Sequence, residues 1–336
     1  MMKMLKRAAA AAVTAVMLVS QSAAFADFTD MPEGEIGDAL QRAVENKLIT
    51  GIDENTIAPD APITRAQMAT IITRAFGATE KADVSFPDVA KDAWYRDSVQ
   101  QAVAMSAFEG DENGYFNPEN NITFQETYTV LARVLYLIPF SEYYTDGSSQ
   151  TFMAVSKNDL ADFSDKDKVA SWAEMYTASV VANGGWQGID GMLKPTENIT
   201  RGEFALVMDK LIKTYVDEPG TYSDLPDGLT IVRNGGVKIT DFKSSKNLIL
   251  SYGIGKDGCT VENADISGAM MVVLGGADPD AVAENKAHIK ASGSFFAIRV
   301  AAPDICLDIT GVNPEGLHVH GESGSKILMP TIGMSK

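Results

Sequence analysis

One short pattern is written three times in this chain, and it limits the fold more than any other feature. Phe28-Thr29-Asp30, Phe86-Pro87-Asp88 and Phe163-Ser164-Asp165 each open a unit, and Ile63-Thr64, Ile122-Thr123 and Ile199-Thr200 recur later in it. The spacing from Asp to Thr is 34, 35 and 35 residues. Between them lies a helical run of apolar residues: Ala39, Ala43 and Val44; Val99, Ala102, Val103 and Met105; Ala173, Tyr176 and Val180. Gly51, Gly110 and Gly188 follow, 13, 13 and 12 residues before the Thr. They are expected to supply a positive φ where the chain leaves the helix and turns back.

Each Thr starts a second helix. Thr64-Arg65-Ala66-Gln67, Thr123-Phe124-Gln125-Glu126 and Thr200-Arg201-Gly202-Glu203 all fit the capping box, in which hydroxyl and third-position side chain satisfy orphan backbone N–H groups. Apolar residues then recur at helical spacing, as in Met68, Ile71, Ile72 and Ala75. A lone helix–loop–helix cannot bury its apolar stripe, so three are expected to share one core. The first two Thr caps are 59 residues apart and the next two 77. The extra residues fall in 139–162, read as a surface loop.

Ahead of the repeats, residues 1–26 have a basic start, an apolar run from Ala8 to Val19 and a small-x-small Ala24-Phe25-Ala26. This is the pattern of a cleaved export signal. No later run reaches about 18 uninterrupted apolar residues, so no transmembrane anchor is expected. The 45 acids and 28 bases give a net charge of −17, and loss of Lys3, Lys6 and Arg7 with the leader takes it to −20. Such a surface repels phosphate backbones and anionic headgroups, which argues against nucleic acid as a partner and leaves any anionic ligand to a few placed cations. Cys259 and Cys306 are the only cysteines, and both sit among strand-like apolar residues. They read as buried small hydrophobes, with a single disulfide as the alternative.

After Tyr215 the helical pattern stops. Residues 217–220 read as a linker. The region 221–336 holds short apolar runs such as Val237–Ile239, Leu248–Leu250, Met271–Leu274 and Phe295–Val300, punctuated by Gly, Asn and Asp. The expectation is a small all-β domain, either a sandwich or, more in keeping with its repeated short rungs, a right-handed parallel β-helix or solenoid. His318 and His320 alternate on one strand face, but with His288 the only other histidine there is no diagnostic ligand spacing. No metal, cofactor or nucleophile motif is expected.

The Phe-x-Asp opening, the glycine loop and Ile-Thr-Arg-x-Glu together resemble the S-layer homology domain, in three copies at 27–80, 81–138 and 163–216. The resemblance implies an all-α pseudo-threefold trimer within one chain, with a central helical bundle and ligand grooves between repeats. It implies non-covalent anchoring of an exported protein to a secondary cell-wall polysaccharide or peptidoglycan-associated polymer, often one carrying pyruvate ketals, with S-layer or other surface proteins as neighbours. A ketal presents one carboxylate on a hydroxyl-rich ring. A helix start with free N–H groups and an Arg fork would suit it. Arg65 and Arg201 are therefore the candidate ligand contacts; without the repeat context each would read as an exposed arginine paired to an acid. Repeat 2 departs with Phe124 and loses its clamp unless Arg96 substitutes. Repeat 1 departs with Gln67, and repeat 3 keeps Asp165, Trp172, Arg201 and Glu203.

Trp94 and Trp172 could stack on a sugar but read slightly better as core. Asp30, Asp88 and Asp165 either line a groove or stabilise the helix entry, with capping the safer reading. Glu126 and Glu203 read as capping acids. The different-class alternative is a wall-tethered polysaccharide hydrolase or lyase with its site in the β-rich part.

Overall fold

The computed structural model describes residues 28–138, 140–143, 149–152, 155–273, 284, 287–301, 305–321 and 325–330. The expected leader lies outside the described residues. Two helices form in each repeat: α1 (Glu35–Glu45) and α2 (Arg65–Ala75), α3 (Arg96–Ala104) and α4 (Phe124–Val134), α5 (Glu174–Ala182) and α6 (Arg201–Leu211). All three capping boxes are made: Thr64, Thr123 and Thr200 each accept the amide three residues on, and each donates its own amide back to Gln67, Glu126 or Glu203.

The helices of one repeat do not pair chiefly with each other. Instead α3 packs on α2, α5 on α4 and α1 on α6, so the first helix of every repeat lies on the second helix of the one before it. The first helix of the chain thereby completes the last repeat, and the three repeats form a ring around one core that includes Met68, Ile72, Leu131, Phe204 and Val207.

The glycine expectation is corrected. The left-handed residues that leave the first helices are Lys47 (φ 59), Ser106 (φ 55) and Gly184 (φ 80), not Gly51 or Gly110; of the three loop glycines only Gly188 has positive φ, at 78. All three are needed for close approach instead. A Cβ at Gly51 would sit 2.5 Å from the Phe28 ring, at Gly110 2.7 Å from Phe86, and at Gly188 2.7 Å from Phe163. The Phe that opens each repeat thus packs edge-on against its own glycine, which links two motif positions more than twenty residues apart.

The 139–162 segment is more than a loop. It holds an antiparallel hairpin, β1 (Phe140–Tyr143) and β2 (Ser149–Phe152), and then a short 3-10 turn at Lys157–Leu160 that buries Leu160.

The larger sheet begins at Thr214, inside the segment assigned to the third repeat. The strands are β3 (Thr214–Val216), β4 (Gly220–Tyr222), β5 (Thr230–Val232), β6 (Val237–Thr240), β7 (Lys243–Ser244), β8 (Leu248–Leu250), β9 (Cys259–Val272), β10 (Ile289–Val300), β11 (Cys306–Val312), β12 (His318–Gly321) and β13 (Lys326–Leu328). Every described pairing among these eleven is parallel, within one sheet that does not close. One row stacks Thr214, Thr230, Leu248, Met270, Ile298 and Val319, and a second stacks Gly220, Val237, Cys259, Ile289, Leu307 and Ile327. The linker expected at 217–220 is a corner between β3 and β4, tied down where Asp217 accepts a 2.8 Å bond from Arg233. Cys259 and Cys306 are both free and buried, and burial pushes the Cys259 thiol up to about 12.

The first strand row is apolar on both faces, as a sheet covered on both sides should be. Ile231, Ile249, Met271 and Ala297 join the helical core, while Val232, Leu250, Met270 and Ile298 belong to a second core among the strands. Residues flanking β5 and β8 also satisfy carbonyls at the helix ends, which have no intrahelical donor. Ser251 Oγ donates to Phe76 O at 2.7 Å, Asn247 Nδ2 to Leu135 O and Tyr136 O at 3.3 Å each, and Arg233 to Arg74 O at 3.4 Å and Asn46 O at 2.9 Å.

Candidate functional site

A closed ring of three backbone hydrogen bonds places the second helices. Ile122 N donates to Ile63 O at 3.1 Å, Ile63 N to Ile199 O at 3.0 Å and Ile199 N to Ile122 O at 3.1 Å. Each second helix therefore starts inside the loop of a neighbouring repeat. The first two helical amides are used in the same way: Arg65 N and Ala66 N donate to Asn120 O and Pro118 O, Phe124 N and Gln125 N to Glu197 O and Pro195 O, Arg201 N and Gly202 N to Ala61 O and Pro59 O. The N–H groups expected to be free for an anion are taken by these carbonyls and by the capping boxes. Recognition of a negative group at this end of the bundle thus falls to side chains.

Asp30, Asp88 and Asp165 do not cap helices. Each carboxylate holds two consecutive loop amides: Asp30 those of Ile57 and Ala58 at 2.8 Å each, Asp88 those of Phe116 and Asn117 at 3.0 and 2.6 Å, Asp165 those of Leu193 and Lys194 at 2.7 and 2.9 Å. The second residue of every pair is left-handed, with φ of 55, 59 and 54 at Ala58, Asn117 and Lys194. The Asp thus stabilises an unfavourable backbone state that turns the preceding carbonyl inward. The amides of Ile57 first, then of Ala58, hold the Asp30 carboxyl below the usual range despite some loss of hydration.

Those inward carbonyls receive the arginines. Arg201 Nε donates to Ile57 O at 2.9 Å and its Nη2 to Thr50 O at 2.8 Å. Arg65 makes the matching pair in the next groove, to Phe116 O at 2.9 Å and Glu109 O at 3.2 Å. Arg201 is only 5% exposed, and burial lowers the affinity of both guanidinium groups for their protons. Neither has a carboxylate partner at salt-bridge distance among the described residues, and each keeps an Nη1 group with no acceptor among them. The two grooves differ in their walls. Arg65 lies between the rings of Phe108 and Phe116, 5.2 and 5.1 Å from their centroids, a cation–π geometry. Its groove, about 360 Å³, also carries Glu109, Asp111 and Glu126. Around Arg201 the aromatic positions are Ile49 and Ile57, Gln67 stands for the Glu, and Asp30 is the acid that acts on it.

The third position is filled differently. Phe124 is buried against Trp186, with centroids 5.0 Å apart, and against Tyr128 at 6.0 Å. Arg96 opens α3 and has no recorded contact there. The core reading of Trp94 and Trp172 is corrected: they are 66% and 53% exposed. Each precedes the start of a first helix by two residues, and Trp94 rests edge-on against Tyr95 at 5.2 Å. Gln67, Glu126 and Glu203 complete the capping boxes, and Glu126 also lines the Arg65 groove. Sequence reasoning passed over Phe108, Phe116 and Tyr128. The first lies two residues before its loop glycine, and Tyr128 stands where the other repeats have Ala69 and Ala205, so alignment of the repeats would have exposed it.

In the strand region, His318 packs edge-on against Phe296 at 5.4 Å and His320 is exposed. Among the described residues no group of three His, Cys, Asp or Glu is placed to hold a metal, and no helix is long and apolar enough to cross a membrane.

Known proteins share the helical pattern. The chain is 31% identical over 209 residues to a surface-layer 125 kDa protein of Lysinibacillus sphaericus, covering 61% of this chain and 16% of that protein. It is 24% identical over 191 residues to a cellulosome-anchoring protein of Acetivibrio thermocellus, covering 55% of this chain and 40% of the relative. An endoglucanase of a Bacillus species is 30% identical over 112 residues, 31% of this chain and 12% of the enzyme. The matched regions thus span 40% or less of the length of these relatives. The family model for the S-layer homology domain matches residues 27–69, 85–127 and 162–205, each running from a repeat's opening Phe-x-Asp into its second helix. The helical ring is therefore built from three tandem S-layer homology domains.

Proposed function

We propose that this is an exported surface protein whose helical ring anchors it to the cell wall by gripping carboxylates of a secondary wall polysaccharide, with pyruvate ketals as the favoured group. The role is binding, not catalysis. The observation that carries it is the pair of sunken guanidinium groups, Arg65 and Arg201, held by two backbone carbonyls each, with acids nearby but no carboxylate at salt-bridge distance among the described residues. A desolvated cation with no carboxylate in direct contact is costly, and a ligand carboxylate arriving at Nη1 would relieve that cost. The exposed rings of Trp94 and Trp172 offer flat apolar faces to sugar. The names of the relatives, a surface-layer and a cellulosome-anchoring protein, agree with an anchoring role.

The strand region is read as a parallel β-solenoid presented outward from the wall. Its support is the uniform parallel stacking and the left-handed corner residues Asp241, Asn263 and Gly293, of which the first two are hydrogen-bonded side chain to side chain at 2.5 Å. Co-sedimentation of the full chain with purified walls tests the anchoring reading. Binding should be strong to intact walls and fall at least tenfold after the secondary polymer is extracted. Equal binding to both preparations would point to peptidoglycan or a protein partner and overturn it.

A further inference from the structure

The three second-helix starts occupy equivalent places, yet one is built to a different plan. We infer that Phe124 and Tyr128 together close the third groove to carboxylates, so that the ring holds two anion sites where its symmetry would allow three. This rests on the reading of Arg65 and Arg201 as carboxylate contacts.

In each arginine groove the guanidinium fills a slot defined by one inward carbonyl: Ile57 O for Arg201 and Phe116 O for Arg65. The matching carbonyl of the third groove is Leu193 O, presented by the same Asp staple at Asp165. It accepts instead from the Tyr128 hydroxyl, at 3.4 Å. Tyr128 lies five residues after Thr123; the same step after Thr64 and Thr200 leads to Ala69 and Ala205. A methyl group there leaves room beside the helix start, whereas the tyrosine ring fills it. Phe124, Tyr128 and Trp186 are 1%, 0% and 4% exposed. The slot is therefore occupied by packed rings, and the polar atom that held a cation in the sister grooves is satisfied from within.

A carboxylate entering this groove would lose hydration without meeting a cation. The two substitutions also act as a unit. Arginine at position 124 alone would meet the tyrosine ring and find its carbonyl already taken, so reopening the site requires both residues to change.

The test uses the full mature chain labelled with 5-fluorotryptophan, which places probes at Trp94, Trp172 and Trp186. The probe ligand is a methyl hexoside carrying a 4,6-linked pyruvate ketal, titrated by calorimetry and fluorine NMR. The expected stoichiometry is two, with the Trp186 resonance unmoved at saturation. Arg65→Ala and Arg201→Ala should each reduce it to one. Phe124→Arg should leave it at two, while Phe124→Arg/Tyr128→Ala should raise it to three and move the Trp186 signal. A stoichiometry of three or a shifted Trp186 in the unchanged protein overturns the inference. So does a third site in Phe124→Arg alone, or a double variant that melts like its parent yet stays at two. If the double variant does not fold, the unchanged protein and the two Arg variants still decide by their counts. Absence of any ketal binding overturns the underlying reading of Arg65 and Arg201 instead.

Discussion

The helical ring and the strand stack are both made of repeated units, but they are held together differently. In the ring, α1 lies on α6 and the Ile63–Ile199–Ile122 hydrogen bonds run in a circle, so every unit is completed by a neighbour. In the stack, each strand is completed by the next parallel strand, and one row spends its outer face on the helices. The circle has equivalent positions that can be filled independently, which is how Arg65, Phe124 and Arg201 coexist on one scaffold. The stack supplies what the circle lacks, donors for the carbonyls at the far end of its helices, through Asn247, Ser251 and Arg233. The arginine grooves sit at the start of the second helices and the strand region packs on the helices and their other ends, an arrangement expected to make the two parts unfold together.

Removing the Arg233 side chain should strain that unity most. It donates to Asn46 O, Arg74 O and Asp217 and lies 4.9 Å from the Tyr215 ring centroid. Its loss would leave the Asp217 carboxylate and Asn46 O without this donor and remove the second donor to Arg74 O, a cost of about 3 kcal/mol. Every tryptophan lies in the helical part, so Arg233→Ala should lower the urea midpoint seen by tryptophan fluorescence as much as the midpoint seen by circular dichroism. A helical transition that stays in place would separate the two regions.

Within the ring, Asp165→Asn should cost less, about 2 kcal/mol, because the amide retains one acceptor for Leu193 N and Lys194 N but loses the charge. Thermal melting checks this, and an unchanged melting temperature would deny the staple its role. The smallest effect expected is a pH dependence at Asp30. Its folded pKa lies below the unfolded value, so the stability it contributes is present above the unfolded pKa of about 3.9 and lost as pH falls through the folded one. Asp30→Asn should flatten the decline in stability below about pH 4 and leave the profile from pH 5 to 8 unchanged.

Much of the ring was legible in the sequence, because its local signals are local physics. Thr64, Thr123 and Thr200 announced their capping boxes, and the even Asp-to-Thr spacing announced three copies. The partner of each first helix was not legible, since identical repeats do not say which neighbour each will pack against. The Asp staples are not legible, and capping looks the safer of two readings, because their targets, such as Ile57 and Leu193, lie some 27 or 28 residues away. Gly51 and Gly110 were credited with backbone freedom when the constraint was the distant ring of Phe28 or Phe86. In the site, Arg65 and Arg201 were marked by position, but their burial depends on carbonyls from another repeat. The free helix amides were an error of the same kind: the chain that consumes them comes from elsewhere in the ring.

The central claim is that two sunken guanidinium groups carry the grip on the wall. Its most direct measurement is the affinity of Arg65→Gln/Arg201→Gln for purified walls beside that of the unchanged chain, with melting curves to confirm that both are folded. Glutamine keeps a donor and removes the charge. A loss of at least a hundredfold is the predicted result, because two sites acting on one polymer are lost together. A folded double variant that binds within twofold of its parent would contradict the account.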